Sequence, residues 1–446
     1  MLNNATTIAA ADLDRYTEAY AGDPVRLAMT NAFSKTAMND LAFNPIAARK
    51  MQFKFSVDIK TMSATNQKQS GRCWLFAATN VLREKIAKEL NLESFELSQS
   101  YLAFWDKFER VNYYLESILD TAALPADDRV VSHIVSTGVH DGGQWDMFVN
   151  IVRKYGVVPK DAMPDTQQAC STSNMNKLLN RYLRRCTPIL RTMVAEGKPA
   201  DEIKAAKDEM LEKCYKFLLS CYGLPPKEFD FEYVDKDKNY HNEHYTVEEF
   251  TAKFVGSMLD DYVSIIHAPT ADKPSGKLYT VAYLGNVVGG ADVAYLNLDM
   301  PAFKAAVIAQ MKDGEIVWFG SDCGKFGEST KKQWDDASYD YELLSGLDLD
   351  MSKADMLDYH VSQMNHAMVL TGVNLDETDT PDRWKIENSW GSDGANKGYH
   401  MASDSWFDKF VYQAVVHKKY LGDAAALLDG EAVVLDPWDP MGSLAD

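Results

Sequence analysis

The sequence predicts an α+β protein with a cleft where a helical first half meets a strand-rich second half. Two observations predict it. Up to about residue 260 the apolar residues recur mostly at spacings of three and four, the period of an amphipathic helix. Beyond it they gather into short β-branched or aromatic runs bounded by Gly, Pro, Asn or Asp. A chain of 446 residues has room for two or three average domains, or one large domain with insertions.

Residues 1–50 read as a polar, helical N-terminal arm, and 53–59 as a strand, because apolar and polar residues alternate there. A helix begins near Cys73: Leu75, Ala78, Leu82 and Ile86 form its apolar face, and Arg83, Glu84, Lys85, Lys88 and Glu89 fill the other. Two further helices follow at 97–108 and 111–119. Glycines at Gly138, Gly142 and Gly143 then break the pattern. They mark either a turn or bare backbone forming one wall of a cleft for an extended peptide. A helix resumes at 147–155. The long charged helices at 177–195 and 201–221, with a polar loop from Asp235 to His244, make 161–260 a helical insertion. Strands are expected at 263–266, 278–284, 316–319, 366–373, 383–387 and 432–435. The segments are thus 1–50 (arm), 51–160 (helical lobe), 161–260 (insertion), 261–435 (strand-rich lobe) and 436–446 (C-terminal tail).

Composition narrows the function. A net charge of −19 argues against a nucleic-acid surface. The apolar runs fall short of the roughly 20 residues a membrane span needs. The N-terminus lacks the basic start and apolar core of a secretory signal. Six cysteines without a CxxC pair point to a reducing cytoplasm, not a disulfide framework. His241 and His244 are spaced like a metal pair, but no further ligand stands near them, so no metal is expected.

Chemistry concentrates around Cys73. A thiol at a helix N-terminus faces the positive end of the backbone dipole, which favours the nucleophilic thiolate. Six residues upstream, the Gln67 amide could donate to the oxyanion formed when that thiolate attacks a carbonyl. A nucleophile needs a base, and the base an orienting partner. His366 opens an apolar strand, and Asn388 follows another and precedes Ser389-Trp390-Gly391.

Gln67, Cys73-Trp74, His366 and Asn388-Ser389-Trp390-Gly391, in that order, resemble the papain-like cysteine peptidases. Ser70-Gly71-Arg72-Cys73-Trp74, Asp141-Gly142-Gly143-Gln144-Trp145 and His366-Ala367-Met368 are similar to the intracellular bleomycin hydrolase/aminopeptidase C branch. His366 follows Cys73 by 293 residues (366 − 73), about twice the 130–150 of papain-type enzymes, and the insertion accounts for most of the excess. Asn365 stands where papain has an acid.

The resemblance implies a two-lobed papain-like core and a thiol aminopeptidase acting on peptides without metal or cofactor. Cys73 is then the nucleophile, His366 its base, Asn388 the partner orienting His366 and Trp390 a cover over their hydrogen bond. Gln67 serves the oxyanion, and Gly142 and Gly143 present backbone to the substrate. A tail of the Pro437-Trp438-Asp439-Pro440-Met441-Gly442 type lies in the cleft of such enzymes, its terminal carboxylate meeting the substrate's α-ammonium. Here that end is Ala445-Asp446, so either Asp446 is trimmed or its side chain shares the pairing. Trp438 and Met441 are costly to leave in water, which also predicts a docked tail. A homohexamer with no nucleic-acid or membrane partner completes the expectation. The rivals are an endopeptidase with the tail out of the cleft and an inactive papain-fold scaffold.

Overall fold

The computed structural model of the chain describes residues 6–443. Two compact units form: residues up to Gln52 together with Asp335–Met351, and Phe53–Trp334 together with Ser352–Asp446.

In the first unit, Asp23 and Asn44 each accept hydrogen bonds from the first backbone amides of a helix that begins with proline, Pro24–Phe33 and Pro45–Ala48. Arg26 donates to the Leu344 carbonyl and Asn44 to Asp340, which ties in the second segment. Helices Ala10–Ala21 and Pro24–Phe33 contain no buried residue. The segment 335–351 therefore packs with the arm, although it falls within the strand-rich stretch of the sequence.

The second unit sets helices against one large sheet. Cys73–Glu89 and Trp145–Tyr155 match the expected helices closely. Gln99–Asp120 is one continuous helix where two were expected. The polar residues that seemed to break it are internally satisfied: Arg110 donates to Asp106 at 2.8 Å, and Glu109 accepts from Lys154 at 2.6 Å. The Cys73 helix is not amphipathic. Its first eleven residues are all buried, Arg83 included, because the helix packs against other helices and against the sheet.

His366–Leu375 is central in the 12-stranded sheet and pairs antiparallel with both Val317–Ser321 and Pro381–Glu387. Val369 faces Glu387, so the start of the first strand and the end of the third meet at one edge. The strand expected at 53–59 is shorter, Val57–Asp58, and pairs with Val373 and Gly372.

The insertion differs from expectation. Ser173–Ala195 and Ala200–Tyr222 are the long helices, but the polar loop is half of a β-hairpin, Glu228–Val234 with Tyr240–Thr246. One face of the hairpin buries Phe229, Phe231 and Tyr245 against Phe250. Strands Tyr399–Ser403 and Val411–His417 and helix Met300–Lys312 were not foreseen. Val411–His417 follows helix Asp404–Phe410 directly, without the Gly or Pro punctuation that marks a strand start in sequence.

Candidate active site

Cys73 opens its helix and is fully buried, and the helix packs against the His366 strand. The segment before it is held by backbone pairing. Gln67 N–H donates to the Ser389 carbonyl at 2.8 Å, and Gly391 N–H to Thr65 at 2.8 Å. These two bonds bring Gln67 beside the segment that follows Asn388.

The Gln67 side chain is fixed at both ends. Its Oε1 accepts from Ser389 Oγ at 2.6 Å and its Nε2 donates to the Ser70 carbonyl at 2.6 Å. A carbonyl can only accept, so the amide orientation is determined and one N–H remains for another acceptor. Ser389 gave no signal of this role in sequence beyond its place after Asn388.

His366 is 4% exposed, and its Nε2 lies 2.9 Å from Asn388 Oδ1. The same oxygen accepts from the Ser389 backbone N–H at 2.8 Å, a group that can only donate. His366 Nε2 is therefore the donor, and Nδ1 is left without the proton in the neutral ring. Trp390 stacks on the imidazole at 5.0 Å and 29°, its other side open to solvent. Burial pulls His366 down to about 4, against the Asn388 hydrogen bond, which favours the charged form. A neighbouring thiolate would reverse that balance.

The glycine turn is bound to the Cys73 helix. Trp74 Nε1 donates to the Asp141 carbonyl at 2.7 Å, and a Cβ on Gly143 would sit 2.5 Å from the Trp74 ring. Only glycine fits there. The Asp141 carboxylate accepts from Lys107 at 2.5 Å, from Thr172, from Asn176 at 2.9 Å and from the Gly71 N–H at 3.1 Å. These bonds hold it well below the usual carboxylate range. Gly142 contributes its carbonyl, which accepts from Arg110 at 2.6 Å. Lys107 could not be linked to Asp141 from sequence, since the two come together only through packing.

The described part of the tail docks on the same unit. Lys273, with a 2% exposed side chain, pairs with Asp439 at 2.8 Å. Arg129 lies 3.6 Å from the Trp438 ring, and the Met441 carbonyl accepts from Tyr295 at 3.1 Å. Ser443 reaches the Met364 carbonyl through its Oγ, and its own carbonyl accepts from Gln144 at 2.8 Å. The tail thus runs between the residue after Gly143 and the residue two before His366. Ala445 and Asp446 lie outside the described residues.

Among the described residues no group of three or more His, Cys, Asp or Glu could hold a metal, and no helix is long and apolar enough to cross a membrane. His241 and His244 are taken up separately by Asp235 and Asp230. No disulfide joins any of the six cysteines.

The Peptidase C1-like family model matches residues 7–442. Aminopeptidase C of Lactobacillus delbrueckii subsp. lactis is 49% identical over 396 residues, 88% of each chain. Bleomycin hydrolase of Homo sapiens is 40% identical over 437 residues, 95% of this chain and 96% of its own. The crystal structure of pepw from Lactobacillus rhamnosis superposes with a TM-score of 0.95 at 47% identity, covering 98% of this chain and 99% of the other.

Proposed function

The chain belongs to the Peptidase C1-like family and has its papain-like fold, and from that premise we propose that it is a thiol aminopeptidase removing N-terminal residues from peptides. The observation that carries the reading is the tail. A papain-like cleft open at both ends cuts within chains, whereas Ser443 of the tail here bonds Gln144 and the Met364 carbonyl, which supports a cleft closed on one side.

In this reading His366 Nδ1 takes the Cys73 thiol proton, and the thiolate attacks the carbonyl of the substrate's first residue. The developing oxyanion is met by the remaining Gln67 N–H and the Cys73 backbone N–H, a side-chain donor worth on the order of 10²–10³ in rate by analogy with serine peptidases. His366 then protonates the leaving amine, and water releases the first residue from the acyl-enzyme. Asn388 keeps the ring in plane and tautomer, and Trp390 shields their bond from water. Gly142 and Gly143 offer backbone to the extended substrate.

The terminal anion supplied by Ala445 or Asp446 pairs with the substrate's α-ammonium. Either Asp446 is removed by the enzyme itself or its side chain shares the pairing. Intact mass of wild type against Cys73→Ala decides between these, since retention of Asp446 in both rules out self-trimming.

The enzyme works as a cytoplasmic homohexamer. The exposed Ile8, Leu13, Tyr16 and Val25 of the arm support this, as large apolar side chains that one chain leaves in water suit a subunit contact. A monomer mass by light scattering would sink it. The decisive assay compares free and N-acetylated aminoacyl-amides. Turnover of the free form alone is expected, and equal turnover of both means an endopeptidase. Thiol alkylation without loss of activity would exclude the cysteine mechanism.

A further inference from the structure

A concavity of about 740 Å³ opens next to the turn that leads into the Cys73 helix. Its lining includes Gly71, two residues before Cys73, and Asp141, which precedes Gly142-Gly143. Its far wall is one face of helix Ser173–Ala195, with Asn176, Lys177, Asn180 and Arg184 at helical spacing. Asn180 fastens this wall by bonding both the N–H and the carbonyl of Val139, at 2.7 and 2.6 Å.

The charge inside is one-sided. Asp141 is the sole carboxylate of the lining, and Lys107 already neutralises it from within the protein. Arg184 donates to the carbonyls of Val135 and Ser136, at 3.1 Å each, and has no acidic partner among the described residues. Neither Lys68 nor Lys177 has an acidic partner among the described residues, and both are exposed. A chain of net charge −19 thus places around one pocket three cations that lack an acidic partner among the described residues.

We infer that this pocket receives the side chain of the residue whose carbonyl Cys73 attacks, and that it favours glutamate-like side chains over lysine-like ones. This rests on the peptidase reading above. The attacked residue's side chain leaves its Cα next to the nucleophile and the glycine turn, where the pocket begins. A long carboxylate reaches the Lys68, Lys177 and Arg184 rim, and a long ammonium is repelled by it. Because the rim is wet, the effect is moderate and salt-sensitive.

The test measures kcat/KM for glutamyl- and lysyl-amides, free and N-acetylated, with wild type, Lys177→Glu, Arg184→Glu and Lys177→Arg. Wild type is expected to prefer the glutamyl substrate. Each reversal to Glu should lower the glutamyl-to-lysyl ratio by about tenfold, since it removes an attraction for one substrate and a repulsion for the other. Lys177→Arg should keep the ratio, and raising salt from about 0.05 M to about 1 M should compress it. A ratio that stays within about twofold of wild type in both reversal variants overturns the inference. The acetylated pair separates the two readings. If blocked substrates are cut as well as free ones, the aminopeptidase reading falls, yet the ratio still decides the pocket, because the attacked residue occupies it either way.

Discussion

His366 Nε2 donates to Asn388 Oδ1 at 2.9 Å, and the amide it meets is itself locked by the Ser389 backbone N–H. The imidazole is therefore held in one tautomer, with Nδ1 ready to accept. Asn388→Ala removes that constraint without touching substrate. The expected result is a kcat lower by on the order of 10², the low end of what a positioned base contributes, with KM nearly unchanged. Steady-state kinetics on a free aminoacyl-amide checks it.

The same burial sets the acid limb. In the proposed mechanism His366 acts as a base only when neutral, and burial holds it down to about 4, below the ordinary imidazole value near 6.5. Activity should persist as pH drops through 6.5 and fail as it drops through about 4. The kcat/KM profile of the free enzyme reads this directly. A limb well above 4 would show a thiolate beside the imidazole offsetting its burial.

Some of this arrangement was legible in the sequence, and the reason is local chemistry. Cys73 and Trp74 head a helix, His366 begins an apolar strand, and Asn388 ends another, so each carries its own signature within a few residues. Ser389, Asp141 and Lys107 carry none. Their partners, Gln67 for the first and one another for the last two, are chosen by how helices and strands pack. The hairpin at Glu228–Val234 and Tyr240–Thr246 was missed for a related reason: its second strand is polar on most positions, and its apolar side exists only against Phe250. Arg83 misled in the opposite way, because a charged residue usually marks a solvent face.

Arg83 lies 2.8 Å from Glu387, the residue before Asn388, and their side chains are 2% and 0% exposed. Asn80 and Thr61 complete the carboxylate's hydrogen bonds at 2.8 and 2.7 Å. Burial pushes the Glu387 carboxyl up, and Arg83 opposes the shift. Glu387→Ala leaves Arg83 buried with only the longer 3.5 Å pairing to Glu84 and is expected to destabilise the protein by about 3 kcal/mol. Arg83→Met combined with Glu387→Leu should cost less than Glu387→Ala alone. Denaturant unfolding of the three proteins measures both effects.

Lys273 and Asp439 anchor the tail from a buried position. Lys273→Met leaves Asp439 unpaired and loosens the docking. Turnover of N-acetylated relative to free aminoacyl-amides should then rise about tenfold for each ~1.4 kcal/mol lost from that docking. An unchanged ratio would mean that the tail does not govern access to the cleft.

The Glu387–Arg83 pair joins residues 304 positions apart, and His366 follows Cys73 by 293. Contacts so distant along the chain are slow to close, since loop entropy is lost before the contact forms. During synthesis at about 5–20 residues per second, the thiol emerges roughly 15–60 s before the imidazole that would activate it. In the proposed mechanism, a nascent chain that holds only the thiol has no catalytic pair until its second half has been made.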